Sequence, residues 1–328
     1  MVFSQSLFLT LLGILLLVWF LLSFFMKRWW VLALGWSIFA LVGVWYFGFF
    51  PWLSSFVVLV ILLAALRSKN RLEFYDQIDT ELLGLKEQQK DGALEVTREQ
   101  LEKLPPLVLK WLKASGVVEG RYSPEVCIGQ TGEMKTAEKG NWMPFSAKQN
   151  TFLHAPGFLW QVEVRFMKGM KLYGRDYYSQ GKGNMLIRLG YLFRVVNSKG
   201  PKMDQGTLLR FLGEMVWYPQ AALCAYVHWE ALSDNRIKAV MKYGKVEAAG
   251  IFHLNEKGQV TRFEAQRYMS NKLRPWIIEI EPEGYKHFGS LYCPARVQVS
   301  WMIENKKWTW LKLQVTEIAS AQPTRDEI

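Results

Sequence analysis

The chain has 328 residues, half of them apolar and 15% aromatic, with 40 Lys and Arg against 29 Asp and Glu for a formal charge of +11. That is too apolar for a disordered polymer, and three cysteines far apart in sequence, Cys127, Cys224 and Cys293, with no CxxC, exclude a disulfide-stapled mini-domain or a zinc ribbon. The basic balance suits an anionic lipid bilayer; with no Lys/Arg-rich block, zinc spacing or RNP-like motif, no nucleic-acid partner is expected.

Residues 1–66 have only Lys27 and Arg28 as charged side chains. The apolar runs 7–25 and 29–50 have 19 and 22 residues, so at 1.5 Å per residue each reaches about 28 to 33 Å, the thickness of a bilayer's hydrocarbon core. A third run, 52–66, is shorter, and the turn Gly48-Phe49-Phe50-Pro51 lends it a few residues. The expectation is a transmembrane anchor of three helices at residues 1–66. Lys27-Arg28 follows the first run and Arg67, Lys69 and Arg71 follow the third, which by the positive-inside rule places both clusters in the cytoplasm. The rest of the chain would then be a cytoplasmic domain of a multi-pass inner (plasma) membrane protein, where free thiols persist. A cleaved signal peptide fits the first run less well, because no basic residue precedes it and no small-x-small site follows. Two spans, with 52–66 lying in the interface, would place the domain outside.

Residues 67–118 read as juxtamembrane and capping helices. Phe74, Ile78, Leu82 and Leu85 recur at helical spacing between 72 and 89. Thr97 and Gln100 form a capping-box pattern that starts a second helical segment with a stripe of Leu101, Leu104, Leu107, Val108, Trp111 and Leu112. Pro105-Pro106 divides that segment, and Gly116 sits where a helix C-terminus favours one.

From residue 119 the period changes to two. Phe158, Trp160, Val162, Val164 and Phe166 alternate with Gln161, Glu163 and Arg165, and Val297, Val299, Trp301 and Ile303 alternate with Arg296, Gln298 and Ser300. Turn signals at 168–169, 180–183, 198–200, 255–258 and 305–306 suit a meander of ten or eleven strands, interrupted by one helix over 204–217. The expected fold class is α+β: the membrane anchor, then over 119–320 one curved antiparallel sheet, a half-barrel with helices covering its concave face, and a tail at 321–328. Large aromatics on such a sheet either pack against the covering helix or leave a cavity for an apolar ligand.

A set of anchors in one order, Leu104-Pro105, Trp111-Leu112, Gly116, Gln130-Thr-Gly-Glu-Met134, Trp142-Met-Pro-Phe-Ser-Ala-Lys-Gln149, Gly174-Arg-Asp176 and Arg210-Phe-Leu-Gly-Glu-Met-Val-Trp-Tyr-Pro219, resembles a widespread bacterial family of uncharacterised, often membrane-anchored proteins. It covers most of residues 100–318 and implies no reaction. The general shape also resembles the lipoprotein-carrier half-barrel, which implies a lidded sheet that holds acyl chains.

The candidate catalytic pair is Asp176 on a strand and Glu214 on the inserted helix, each among apolar neighbours, where a buried carboxylate can serve as general acid or base. The same carboxylates could instead be structural groups satisfied by Arg175, Arg188 or Arg210. Trp142, Phe145, Trp160, Trp217 and Trp301 are the candidates to line an apolar site. His154, His228, His253 and His287 show no metal-ligand spacing, so no metal is expected, and no motif calls for a cofactor. GxSxG is missing, and Gly181-Lys-Gly183 lacks the phosphate-loop pattern. Three functions remain: a binding module for a lipid or another apolar small molecule, an enzyme acting on an amphiphile through Asp176 and Glu214, and a filled-core scaffold for another protein.

Overall fold

The structure is a computed structural model that describes residues 51–90 and 92–320. It has two compact units, Met1–Tyr75 and Asp76–Ile328. The expected spans 7–25 and 29–50 and the tail 321–328 lie outside the described residues. The run 52–66 and the amphipathic segment after it, expected as two elements, form one helix, α1 (Pro51–Glu87). Among the described residues no helix is long and apolar enough to cross a membrane.

The second unit opens with a small two-stranded ribbon, β1 (Leu94–Val96) against β2 (Gly120–Tyr122), around α2 (Arg98–Glu102) and α3 (Pro106–Ala114). The capping box forms: Thr97 Oγ1 accepts from the Gln100 amide at 3.2 Å, and Gln100 Oε1 accepts from the Thr97 amide at 2.9 Å. Pro106 occupies the first turn of α3, where a missing N–H costs nothing. Gly116 ends that helix at φ +81°, a left-handed conformation that lets the Val117 amide reach back to the Leu112 carbonyl at 2.9 Å.

Six strands then run as a meander: β3 (Glu125–Met134), β4 (Met143–Phe152), β5 (Gly157–Met167), β6 (Met170–Ser179), β7 (Lys182–Leu189) and β8 (Phe193–Lys199). The inserted helix α4 (Pro201–Glu214) follows, with two 3-10 turns, Met215–Trp217 and Pro219–Leu223. A second meander holds β9 (Val227–Ser233), β10 (Arg236–Tyr243), β11 (Val246–Leu254), β12 (Val260–Met269) and β13 (Lys272–Ile280). The ribbon β14 (Tyr285–Phe288) and β15 (Leu291–Pro294) leads to β16 (Arg296–Ile303) and the long β17 (Lys306–Ser320). The main sheet has 13 antiparallel strands, ordered β8-β7-β6-β5-β4-β3-β17-β16-β13-β12-β11-β10-β9. This exceeds the ten or eleven expected; an edge strand such as β8, with no buried residue, carries little of the mark of a half-buried strand.

The two edges, β8 and β9, are adjacent in sequence, and α4 is the link between them. It packs on β6, β7 and β8 from one flank and on β10, β11 and β12 from the other, so the sheet must wrap around it. The flanks approach closely: a Cβ on Gly181, in the β6–β7 turn, would lie 3.5 Å from Val246 Cγ2 at the start of β11. Two-residue turns with positive φ, Gln180-Gly181 and Glu304-Asn305, match the right-handed twist of their hairpins. Inside, Leu208, Leu209, Phe211 and Leu212 of α4 meet Ile237, Phe252, Phe263 and Ile278 in one core. Gly213 and Gly250 leave room for the Phe263 ring, so the helix axis and β11 both come close to β12.

The C-terminal part of α1 covers the convex side of β5 to β7. Ile78 and Leu85 are buried there, Leu85 against Gly157. Gln88 Oε1 accepts from Ser179 Oγ at 2.8 Å, and Glu81 pairs with the buried Arg175 at 2.5 Å.

Candidate functional site

Antiparallel register puts the inward residues of neighbouring strands side by side. Crossing the sheet, Trp160 on β5 faces Gln149 on β4 and Asp176 on β6, and Phe145 on β4 faces Gly132 on β3 and Val164 on β5. On the other half, Ala265, Trp276, Trp301 and Trp308 form one row across β12, β13, β16 and β17.

At the centre of the concave side, Arg210 of α4 gathers the two candidate carboxylates. Its Nη1 donates to Asp176 Oδ2 and its Nε to Glu214 Oε1, each at 2.7 Å, and its Nη2 donates to Gln149 Oε1 at 2.9 Å. Gln149 Nε2 returns a bond to Glu214 Oε2 at 2.7 Å and another to Thr151 Oγ1 at 3.1 Å. The guanidinium lies over Phe158 and Trp160, 5.0 and 4.7 Å from the ring centroids. Burial works against the Arg210 charge, yet Glu214 and Asp176 outweigh it and hold the group above its usual range. The carboxylates therefore meet, as the sequence suggested, but they meet on an arginine. Both oxygens of Glu214 are occupied, and the cluster clamps α4 to β4, β5 and β6 rather than leaving a free proton carrier.

The five aromatic candidates separate. Phe145, Trp160 and Trp301 share the concave side, and Trp160 Nε1 donates to Gln130 Oε1 at 2.8 Å. Trp142 does not join them: it precedes the inward Met143 by one position and lies between Lys135 and Lys312, each ammonium 4.7 Å from its ring, on the outer face. Trp217 is buried in the first 3-10 turn, its Nε1 bonded to the Pro294 carbonyl at 2.9 Å, so it locks the helical insert to β15. The reason is local in both cases, since a one-residue offset reverses the face of a strand residue and a 3-10 turn follows no strand period.

Part of the inner side of β3, β4, β5, β13, β16 and β17 lies beyond the reach of α4. Val162, Trp301, Leu311, Leu313, Met143, Phe145 and Val299 keep 5 to 9% exposure, whereas Leu208, Leu209, Phe211 and Phe252 under the helix have none. Trp160, Trp308 and Met134 beside them are half-buried.

Several polar groups on this side were not singled out from sequence. Gln130 Nε2, Trp276 Nε1 and Trp308 Nε1 are buried donors without a hydrogen-bond partner among the described residues. Arg267 on β12 lies against α4, a Cβ on Gly206 being 3.4 Å from its Nε, with its guanidinium 4.7 Å from the Trp276 ring centroid. The available signal was an arginine in apolar register, since Phe263, Ala265, Arg267 and Met269 share one face. Among the described residues no group of three or more His, Cys, Asp or Glu is placed to hold a metal ion. The three cysteines are free thiols.

Solved structures that resemble this chain include the following three. A domain described as that of an outer membrane lipoprotein-sorting protein from Vibrio parahaemolyticus aligns with a TM-score of 0.40 and 10% identity, over 69% of this chain and 95% of that one. A DUF1329 family protein from Desulfovibrio piger gives 0.38 and 7%, over 71% and 96%. A LolA superfamily protein from Nitrosomonas europaea gives 0.34 and 8%, over 68% and 93%. No curated protein sequence matches the chain. Residues 94–313, more than half of its length, match the model of DUF6544, and the chain thus belongs to that family of unknown function.

Proposed function

We propose that this protein is a membrane-attached binding module that holds an apolar ligand, a lipid or acyl chain, in the concavity of its sheet. The observation that carries the reading is the less completely covered part of the concave side. A lid that filled the hollow would bring Phe145, Val162, Trp301, Leu311 and Leu313 to the complete burial seen under α4, and they stop short of it. Apolar surface of this kind gains about 25 cal/mol for each Å² that a ligand removes from water. Attachment through the runs 7–25, 29–50 and 52–66, with the domain in the cytoplasm, is supported by their length and by the basic residues that follow the first and third runs.

Gentle detergent extraction followed by native mass spectrometry tests the ligand. The expected result is a mass above that of the bare chain by one lipid or acyl-chain species, with a rise in melting temperature on adding that species. A chain that always runs at its bare mass and gains no stability from lipids would end the reading. A C-terminal reporter active only outside the cell would reverse the proposed orientation.

A further inference from the structure

The apolar-ligand reading leaves open which end of a ligand is recognised, and the arginines of the β12–β13 hairpin bear on that. Arg267 and Arg274 are direct cross-strand partners, on the same concave side as Ala265 and Trp276. Like charges placed directly opposite each other destabilise a sheet. Neither guanidinium has an ion pair or hydrogen bond to any described residue, and the Arg267 guanidinium lies over the Trp276 ring. Asp176 and Glu214, whose charges act on Arg267, are both bonded to Arg210. The neighbouring unpaired groups are of the same kind. Trp276 Nε1 and Trp308 Nε1, one and three strands from Arg267, and Gln130 Nε2 beyond them are all donors. Among the unpaired buried oxygens, Gln205 Oε1 and Gln220 Oε1 belong to the helical insert and Tyr178 Oη to β6 on the opposite flank.

Around the β12–β13 hairpin the concave side offers two cations and the Trp276 N–H, a set complementary to an anionic group. We infer that Arg267 and Arg274, with Trp276, form a site for the anionic head, a carboxylate or phosphate, of an amphiphile whose chain occupies the hollow. The inference rests on the proposed apolar-ligand function and adds the polarity and place of the head. Burial and the nearby Arg210 pull the Arg267 guanidinium down to about 10, so it stays charged at neutral pH while lacking the counter-ion that would restore it. An anion seated there would form charge-assisted hydrogen bonds, and a bidentate contact is open to each arginine.

Calorimetric titration of the full chain in micelles of an uncharged detergent, with dodecanoate, dodecan-1-ol and inorganic phosphate as separate probes, tests this. The expected result is dodecanoate bound at least about tenfold more tightly than dodecan-1-ol, one charge-assisted contact being worth that much. Arg267→Gln should bring dodecanoate to the affinity of the alcohol and leave the alcohol unchanged. Equal binding of acid and alcohol by the parent protein would overturn the anionic-head site while leaving the apolar hollow. Phosphate binding as tightly as dodecanoate would also overturn it, since a free anion would then be the ligand. Binding of neither chain compound would remove the apolar-ligand reading itself. The comparison of probes on the parent protein needs no variant, so it stands even if Arg267→Gln folds poorly.

Discussion

Arg210→Met is the most demanding test of how the helix is held in the sheet. The substitution keeps an unbranched apolar stem, though a shorter one, and deletes the three donors that reach Asp176, Glu214 and Gln149. Two carboxylates would then remain in a mostly buried site without their cation. Removing one partner of a buried ion pair costs about 3–5 kcal/mol, because the other charge stays desolvated and unpaired. Here one cation serves two anions, so the upper part of that range is expected, and against a typical domain stability of about 5–15 kcal/mol it removes a large share. Urea unfolding at pH 7, followed by tryptophan fluorescence, would show the midpoint fall. The triple variant Arg210→Met/Asp176→Asn/Glu214→Gln, which has no charge to strand, should recover most of the loss. If the single variant lies within about 1 kcal/mol of the parent, or the triple variant is no better than the single, the cluster does not clamp α4 and the reasoning fails.

Three other outcomes follow from the same physics. Burial pushes the Glu81 carboxyl above its ordinary 4.5 in spite of Arg175, and burial also pulls Arg175 down, so neither charge is fully repaid by the other. With the folded value raised, the native state binds the extra proton, and stability declines as pH rises from about 4.5 through the folded value; Glu81→Gln/Arg175→Met should abolish that decline and match or exceed the parent at pH 7, and a double variant more than about 1 kcal/mol weaker would refute this. Gly213→Val should cost about 1–3 kcal/mol or more, read as a lower urea midpoint, because a Cβ there already lies 2.9 Å from the Phe263 ring. Cys224 and Cys293, pushed up by burial to about 11 and about 12, should resist iodoacetamide at pH 8 in the folded protein and react on unfolding; rapid labelling of either without loss of structure would show that the core around it opens.

The period-two segments were legible because each has one face in the core and the other in water, which is what alternation records. The capping box and Gly116 were legible because they are local: their partners lie within a few residues. Three features were hidden for the opposite reason. Strand β8 has no buried face to announce it. The Glu81–Arg175 and Arg210–Asp176 pairs join residues 94 and 34 positions apart, and which of several arginines meets which carboxylate depends on register and curvature that no window of sequence contains. Arg267 was visible as a charge in an apolar register, but only the pairing with Arg274 makes it unusual. Trp142 shows the converse: a large aromatic beside a strand was read as lining, and one step along the backbone put it on the lysine side.

The open order of the sheet has a mechanical meaning. Because β8 and β9 never pair, no ladder of backbone hydrogen bonds runs across the gap, and the two flanks are joined there by side chains of α4 and by the contact of two turns. A closed barrel of the same strands would have a bore fixed by its strand number and shear. In this open sheet the separation of the two flanks is held instead by how α4 packs between them, while the twelve strand pairings of the main sheet are independent of that contact. The spacing of the flanks is thereby set by what α4 presents and by the bonds of Arg210, so substitutions on one 14-residue helix would alter that spacing without touching the frame.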